Sequence, residues 1–391
     1  MTAESVNYVL QPANVSPALD QSGQDMARLI RDSFAAVESR AEEVSQYFYG
    51  ALFVVAPDTR DLFPINMSTQ RSRLLRALVY VVQMVDRPDE LVTFLSQLGR
   101  DHRKFDVLTR HYDAVGTALL AALKRFLKDK WTAEVENAWT TAYGIIAKTM
   151  RDAASEATGR AWWSATVIRH AKITDNVAIV RVRPDQPLPY LAGNYVSVEV
   201  PQRPRLWRYL SPANAPREDG YLEFHVRAVD GGWVSRAIVN HTHVGDVWRV
   251  GPAMGALTVQ PAERRKLLLI GGGTGLAPLA AIIDELSHWT HNPPVHLFYG
   301  GRRPEDLYGL EQLRMLAATS PWLTITPVTE EGTLNGGDRG SLATAVSQRG
   351  NWEDHDILVS GSPGMIRATI AKLLTIGVDL ARISYDPFTL D

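Results

Sequence analysis

The hydrophobic period of this chain changes twice along its length, and no single layer of structure can follow such a pattern. From about residue 25 to 155, apolar residues recur at intervals of three and four. Leu74, Leu78, Val82 and Val85 form one such stripe, and Val115, Leu119, Leu123 and Phe126 another. This is the spacing of helices that bury one face. The stretches 57–64 and 87–88 carry prolines that divide the region into separate helices. Between Trp162 and Pro261 the period falls to two, as in 177–183 and 221–226, with turn residues at 184–187, 212–214 and 230–232. That alternation predicts an antiparallel domain, a small β-barrel. From Leu267 onward, short apolar strands at 267–270, 295–299, 323–328, 357–360 and 383–385 alternate with helical stretches. Such alternation predicts a parallel sheet with crossover helices. The expected fold class is therefore multidomain: an all-α domain over 25–156, an antiparallel β-barrel over 160–262 and an α/β parallel-sheet domain over 263–391.

Composition narrows the chemistry. The 391 residues include no cysteine, which removes disulfides, thiolate metal sites, iron–sulfur clusters and thiol nucleophiles together. Redox chemistry would have to come from an organic cofactor or a histidine-ligated metal. Lys and Arg number 41 against 43 Asp and Glu, a net charge of −2, so no overall field attracts nucleic acid or an anionic membrane. The first residues, MTAESVNYVLQPANVSP, are polar and do not read as a secretory signal, and a cytoplasmic protein is expected. The longest apolar run, 267–283, contains four glycines and Pro278 and reads as strand, turn and helix, so no integral membrane association is expected.

Two glycine-bearing elements point to phosphate-containing cofactors. Gly271, Gly272, Gly273, Thr274 and Gly275, with Pro278 shortly after, follow a strand and open a helix, so backbone N–H groups can approach a pyrophosphate while the helix dipole favours its charge. Upstream, Arg208-Tyr209-Leu210-Ser211 follows a β segment, and Gly232-Trp233-Val234-Ser235 makes a second anion cradle. This set resembles the ferredoxin-reductase family over about 160–391, extending to Gly361-Ser-Pro-Gly-Met and to Phe388. The resemblance implies that Arg208, Tyr209, Leu210, Ser211, Gly232, Val234 and Ser235 hold FAD and that Phe388 covers the flavin ring. It also implies that Tyr190 and Asn194-Tyr195 approach the flavin or its ribityl chain and that Gly271–Gly275 receive NADH or NADPH. Leu210 stands where that family has a tyrosine, and Ser360 where a cysteine is common. Arg302 and Arg303 lie where an adenosine 2′-phosphate could reach, and the choice between the two dinucleotides stays open.

In the helical third, His102 continues the apolar face of Phe94, Leu95 and Leu98, whereas the competing His111 has the polar neighbours Arg110, Tyr112 and Asp113. Phe48-Tyr49, Phe63-Pro64, Gln70, Leu74, His102 and Tyr112 resemble, in order and approximate spacing, the globin domain of flavohemoglobins from about 41 to 156. The resemblance implies haem b as cofactor, with His102 as the iron ligand, Tyr49 and Gln70 as distal polar residues, and Phe63 and Leu74 as apolar wall. It places Tyr112 and Glu156 as a pair behind the histidine. A shift of the gap after Phe63 would bring Arg71 or Leu75 to the distal place instead of Gln70. The family activity implied is oxidation of NO by O2 to nitrate, with electrons passed from NAD(P)H through FAD to haem. The alternatives are an oxygen-binding or oxygen-sensing haem protein with a self-reducing module, and a hydroperoxide or quinone reductase. The expected partners are small molecules (O2, NO and NAD(P)H), with no nucleic acid, and a monomer or weak dimer is expected.

Overall fold

A computed structural model describes residues 21–260 and 265–386. Two compact units divide these residues, one of 21–161 and one of 162–386. The first is all helix: α1 Gln21–Glu38, α2 Ala41–Val55, α3 Ser68–Met84, α4 Pro88–His102, α5 Thr109–Leu127 and α6 Ala133–Glu156. The prolines act as expected. Pro57 opens a 3-10 turn that ends α2, and Pro88 occupies the first turn of α4, where its missing N–H costs nothing. Stripes from α1, α2, α5 and α6 meet in a core of Ile30, Phe48, Leu52, Leu119, Leu123 and Trp139. The indole N–H of Trp139 donates to the Ser33 hydroxyl at 2.9 Å, so this buried ring keeps a partner for its polar atom. At Gly99 a side chain would collide with the Met150 carbonyl at 2.3 Å, and glycine is what lets α4 lie directly on α6.

The second unit begins with β1 Trp163–Thr174, β2 Val177–Pro184, β3 Tyr195–Glu199, β4 Arg208–Leu210, β5 Leu222–Arg227, helix α7 Trp233–His241 and β6 Val247–Met254. The six strands form one antiparallel sheet in the order β4-β3-β6-β1-β2-β5. Its two edges meet through the Pro212–Phe224 bridge and the Ala213 N–H donating to the Glu223 carbonyl at 2.7 Å, which curls the sheet into the expected barrel. Alternation decides which side chains fill it. On β5, Leu222, Phe224 and Val226 are buried inside, and Glu223, His225 and Arg227 face out.

The remainder is β7 Lys266–Gly272, α8 Leu276–Ser287, β8 Val295–Gly301, α9 Leu310–Thr319, β9 Leu323–Thr329, β10 Asp338–Arg339, α10 Leu342–Arg349, β11 His355–Ser360, α11 Pro363–Thr375 and β12 Ile383–Tyr385. These strands form a parallel sheet in the order β10-β9-β8-β7-β11-β12. Leu268, Ile270, Phe298, Ile357 and Val359 are fully buried, as a sheet covered on both faces requires. The chain reverses direction across the sheet between β7 and β11, and a crevice opens at the carboxyl ends of strands flanking such a switch point. The multidomain class expected from the periods, with all-α, antiparallel barrel and parallel α/β parts, is therefore the one observed. No helix among the described residues is long and apolar enough to cross a membrane.

Candidate functional site

The crevice at the β7–β11 switch point is a cavity of about 750 Å³ that receives residues from both parts of the second unit. Tyr209, Leu210 and Ser211 reach it from the barrel, and Gly272, Gly273, Thr274, Gly275 and Pro278 from the parallel sheet. Gly271 lies just behind, still paired in β7, where a side chain would press on Leu279. Gly273 has φ +56°, a left-handed conformation that disfavours any side chain, and a Cβ at Gly275 would stand 2.3 Å from the Ser360 carbonyl. The turn thus packs its backbone against β11 and opens its N–H groups to the cavity.

Arg208 lies on β4, paired with Val198 of β3, and its Nη1 donates to the Trp207 carbonyl at 2.9 Å. The Tyr209 ring meets Tyr195 edge-on at 5.2 Å. Leu210 faces the cavity, and Trp207 is buried, so the aromatic surface on this side comes from Tyr209. Gly232 is the N-cap of α7, Val234 is buried in the barrel, and the Ser235 hydroxyl donates to the Gly232 carbonyl at 3.4 Å. The first N–H groups of α7 are those that no helical carbonyl can satisfy. Tyr190 does not line the cavity. Its hydroxyl donates to the Asn214 carbonyl at 3.0 Å and accepts from the Asn214 amide, and burial raises its pKa. Asn194 is buried and accepts from the Leu191 N–H at 2.9 Å. Phe388 and the boundary at 262/263 lie outside the described residues.

The structure adds residues that the sequence did not single out. The outward row of β5 engages the parallel-sheet part: Arg227 donates to Asp306 at 3.2 Å, and the His225 Nδ1 lies 3.2 Å from the Tyr308 hydroxyl. Arg227 lines the cavity with its guanidinium within 4 Å of where a Gly273 side chain would start, and its buried Nε has no partner among the described residues. Asp386, just past β12, is 3% exposed. One oxygen accepts the Ala256 N–H at 3.2 Å and the other is buried without a partner. Burial pushes its carboxyl up to about 7. A side chain at Gly255 would strike both Tyr195 and Asp386, which fixes the carboxyl beside the Tyr195–Tyr209 pair. The outward polar row of β5 was visible as alternation, but not what it would meet; a carboxyl adjoining the terminal strand carried no signal of burial.

In the helical unit, His102 ends α4. Its Nδ1 is 2.7 Å from the Leu98 carbonyl, an oxygen that can only accept, so Nδ1 carries the proton and Nε2 is left with its lone pair. Burial lowers the His102 pKa, which favours that neutral form. The side chain of His111 is 6% exposed and its nitrogens are both engaged: Nδ1 accepts the Leu108 N–H at 3.1 Å and Nε2 lies 3.0 Å from Asp58. Of these two histidines, His102 is the one with the free nitrogen that a metal requires. Tyr49 is buried among Phe48, Phe53 and Phe63, with centroids 4.9, 6.0 and 5.4 Å away. Burial pushes its hydroxyl up to about 12, so it stays a neutral donor. Its bond goes to the main-chain carbonyl of Gln70 at a long 3.4 Å, one helical turn before the partly buried Leu74. Tyr49 on α2, Phe63 in the segment between α2 and α3, and Gln70 and Leu74 on α3 are thus gathered together. Tyr112 is buried on α5, near the charge of Arg151. Glu156 ends α6 exposed, and among the described residues no bond joins it to Tyr112 or His102. The carboxylate whose charge bears on His102 is Asp101, itself paired with buried Lys104 at 2.6 Å.

Comparison with known proteins accounts for the order of domains. The globin family model matches residues 46–150, the oxidoreductase FAD-binding domain 164–258 and the oxidoreductase NAD-binding domain 269–370. The ferredoxin–NAD(P)(+) reductase component of the naphthalene 1,2-dioxygenase system of Pseudomonas putida is 30% identical over 228 residues, 57% of this chain and 68% of that protein. A flavohemoprotein of Vibrio cholerae is 24% identical over 393 residues, 93% of this chain and 97% of its own. Among solved structures, a flavohemoglobin from Malassezia yamatoensis with bound FAD and haem has a TM-score of 0.73 at 17% identity, covering 95% of this chain and 99% of that one. A globin joined to an FAD- and NAD-binding oxidoreductase module defines the class. The chain belongs to the flavohemoprotein family.

Haem, FAD and a nicotinamide dinucleotide are the cofactors of this domain set, and the residues present fit them. The free Nε2 of His102 suits an iron, the glycine turn that a Cβ would fill suits a pyrophosphate, and the unpartnered Nε of Arg227 points to an anion in the cavity.

Proposed function

We propose that this oxidoreductase converts NO and O2 to nitrate at the expense of NADH or NADPH. The observation that carries the reductase part is the single cavity shared by the barrel residues Tyr209, Leu210 and Ser211 and the glycine turn Gly272–Gly275, because a flavin and a nicotinamide must lie together for hydride transfer. In this reading Arg208 and the start of α7 hold the FAD phosphates, Gly271–Gly275 hold the dinucleotide pyrophosphate, and Arg227 reaches over from β5 to neutralise it. Asp386 retains a proton beside the flavin side of the cavity near neutral pH. FAD, when bound, supplies the step from a two-electron donor to a one-electron acceptor, the haem iron. His102 supplies Nε2 to that iron, its ring fixed by the Leu98 carbonyl. Tyr49 has a neutral hydroxyl whose long bond to the Gln70 carbonyl is easily given up for a distal ligand. NO, O2 and one electron balance to nitrate, so each dinucleotide serves two turnovers.

Oxygen binding with self-reduction is a second reading. It is favoured by the exposed position of Glu156, which leaves Tyr112 without the carboxylate partner that oxygen activation would use. An NO electrode separates the two. The dioxygenase should consume NO only when both O2 and NAD(P)H are supplied, at a rate lowered by Tyr49→Phe. Slow oxidation that is independent of the dinucleotide would leave only the oxygen-binding function.

A further inference from the structure

Reading α7 as the seat of the flavin phosphates leaves its first residue unexplained. Trp233 follows the N-cap Gly232, at the helix end whose N–H groups would receive the diphosphate. Its side chain is 59% exposed and joins none of the hydrophobic clusters among the described residues, whereas its neighbour Val234 is fully buried. The indole is nevertheless held in place. The guanidinium of Arg203 lies over the ring, 5.9 Å from its centroid. Arg203 comes from the β3–β4 loop, shortly before Arg208 in the chain. It is itself anchored, with Nη1 donating to the Gln202 carbonyl at 2.7 Å and Nε buried without a partner. The two segments that flank the diphosphate seat therefore meet in an aromatic plane, backed by a cation and open to solvent, at the edge of that seat.

We infer that Trp233, backed by Arg203, is the platform on which the adenine of FAD stacks, and so the residue by which this chain takes FAD in preference to FMN. The inference rests on the reading of Arg208 and α7 as the phosphate site. With the isoalloxazine on the Tyr209–Leu210 side, the part of FAD that continues past the diphosphate is adenosine, and its flat purine matches an exposed indole. FMN ends at its phosphate and gains nothing from the platform.

Titration of the flavin-stripped, full-length protein with FAD and with FMN tests this. Trp233→Ala should raise the Kd for FAD about ten- to a hundredfold, the range for loss of a base–aromatic stack, and leave the Kd for FMN within about twofold. Trp233→Phe should recover most of the FAD affinity. ADP, which carries adenine and diphosphate without the flavin, should compete with FAD in the parent and lose that ability in Trp233→Ala. Equal weakening of FAD and FMN, an unchanged FAD constant, or undiminished ADP competition overturns the platform. Arg208→Gln distinguishes the underlying reading: if it weakens neither flavin, the phosphate site is misplaced whatever Trp233 does.

Discussion

His102 and His111 differ in what their ring nitrogens are doing, and that difference predicts the behaviour of their variants. His102 offers Nε2 because Nδ1 is committed to the Leu98 carbonyl, whereas His111 spends both nitrogens on the start of α5 and on Asp58. His102→Ala should lose the haem absorption band, and added imidazole should restore part of it. His111→Ala should keep the band and lose about 1–3 kcal/mol of stability, the cost of leaving buried partners unmade. An unchanged spectrum in the His102 variant would show that the iron ligand lies elsewhere. Asp386 gives a prediction in pH. Its carboxyl is raised from the ordinary 3.8 to about 7 in the folded protein, so the native state keeps a proton that the unfolded chain releases. The associated stability is fully present below pH ~4 and is lost as pH rises through ~7, a fall of a few kcal/mol at about 1.4 kcal/mol per unit. The reductase melting temperature should therefore drop across that window in the parent and much less in Asp386→Asn. Parallel pH profiles for the two proteins would count against a buried, protonated Asp386.

At the scale of elements, the turn between β7 and α8 shows why a glycine motif has to be read position by position. Gly275 is required because β11 lies against it, and Gly273 because its φ is +56° with the Arg227 guanidinium nearby. Gly273→Val should combine backbone strain of about 1–2 kcal/mol with a branched side chain in the cavity. The KM for NAD(P)H should rise tenfold or more, with haem and FAD contents unchanged. Loss of all three cofactors together would instead mean that the substitution unfolds the sheet. The β5 strand is a second case. Its alternation was legible, and it correctly sends Leu222, Phe224 and Val226 inward. What its outward residues Glu223, His225 and Arg227 would meet was not legible, since Tyr308 and Asp306 come from far along the chain.

For the molecule as a whole, the barrel and the parallel sheet make one compact unit, and the Arg227–Asp306 pair ties them at the rim of their common cavity. Arg227→Gln should raise the KM for NAD(P)H about ten- to a hundredfold, the loss of a charged hydrogen bond, while FAD remains bound and the haem spectrum is unaffected. If the dinucleotide KM does not move, Arg227 serves only to join the two parts. The order of architectures and the places of the two glycine turns were determined by the sequence alone, because hydrophobic period and glycine spacing are local properties that a linear pattern records. So was the preference for His102, which sits on the apolar face of α4. The tertiary structure alone decided the remainder: that Glu156 ends exposed, that Tyr49 meets the Gln70 carbonyl, that Tyr190 bonds to Asn214, that Arg227 lines the cavity, and that Asp386 is buried beside Gly255 and Tyr195. Each of these depends on which distant segments pack together, and burial, the state of a proton and the direction of a hydrogen bond exist only once those segments have met.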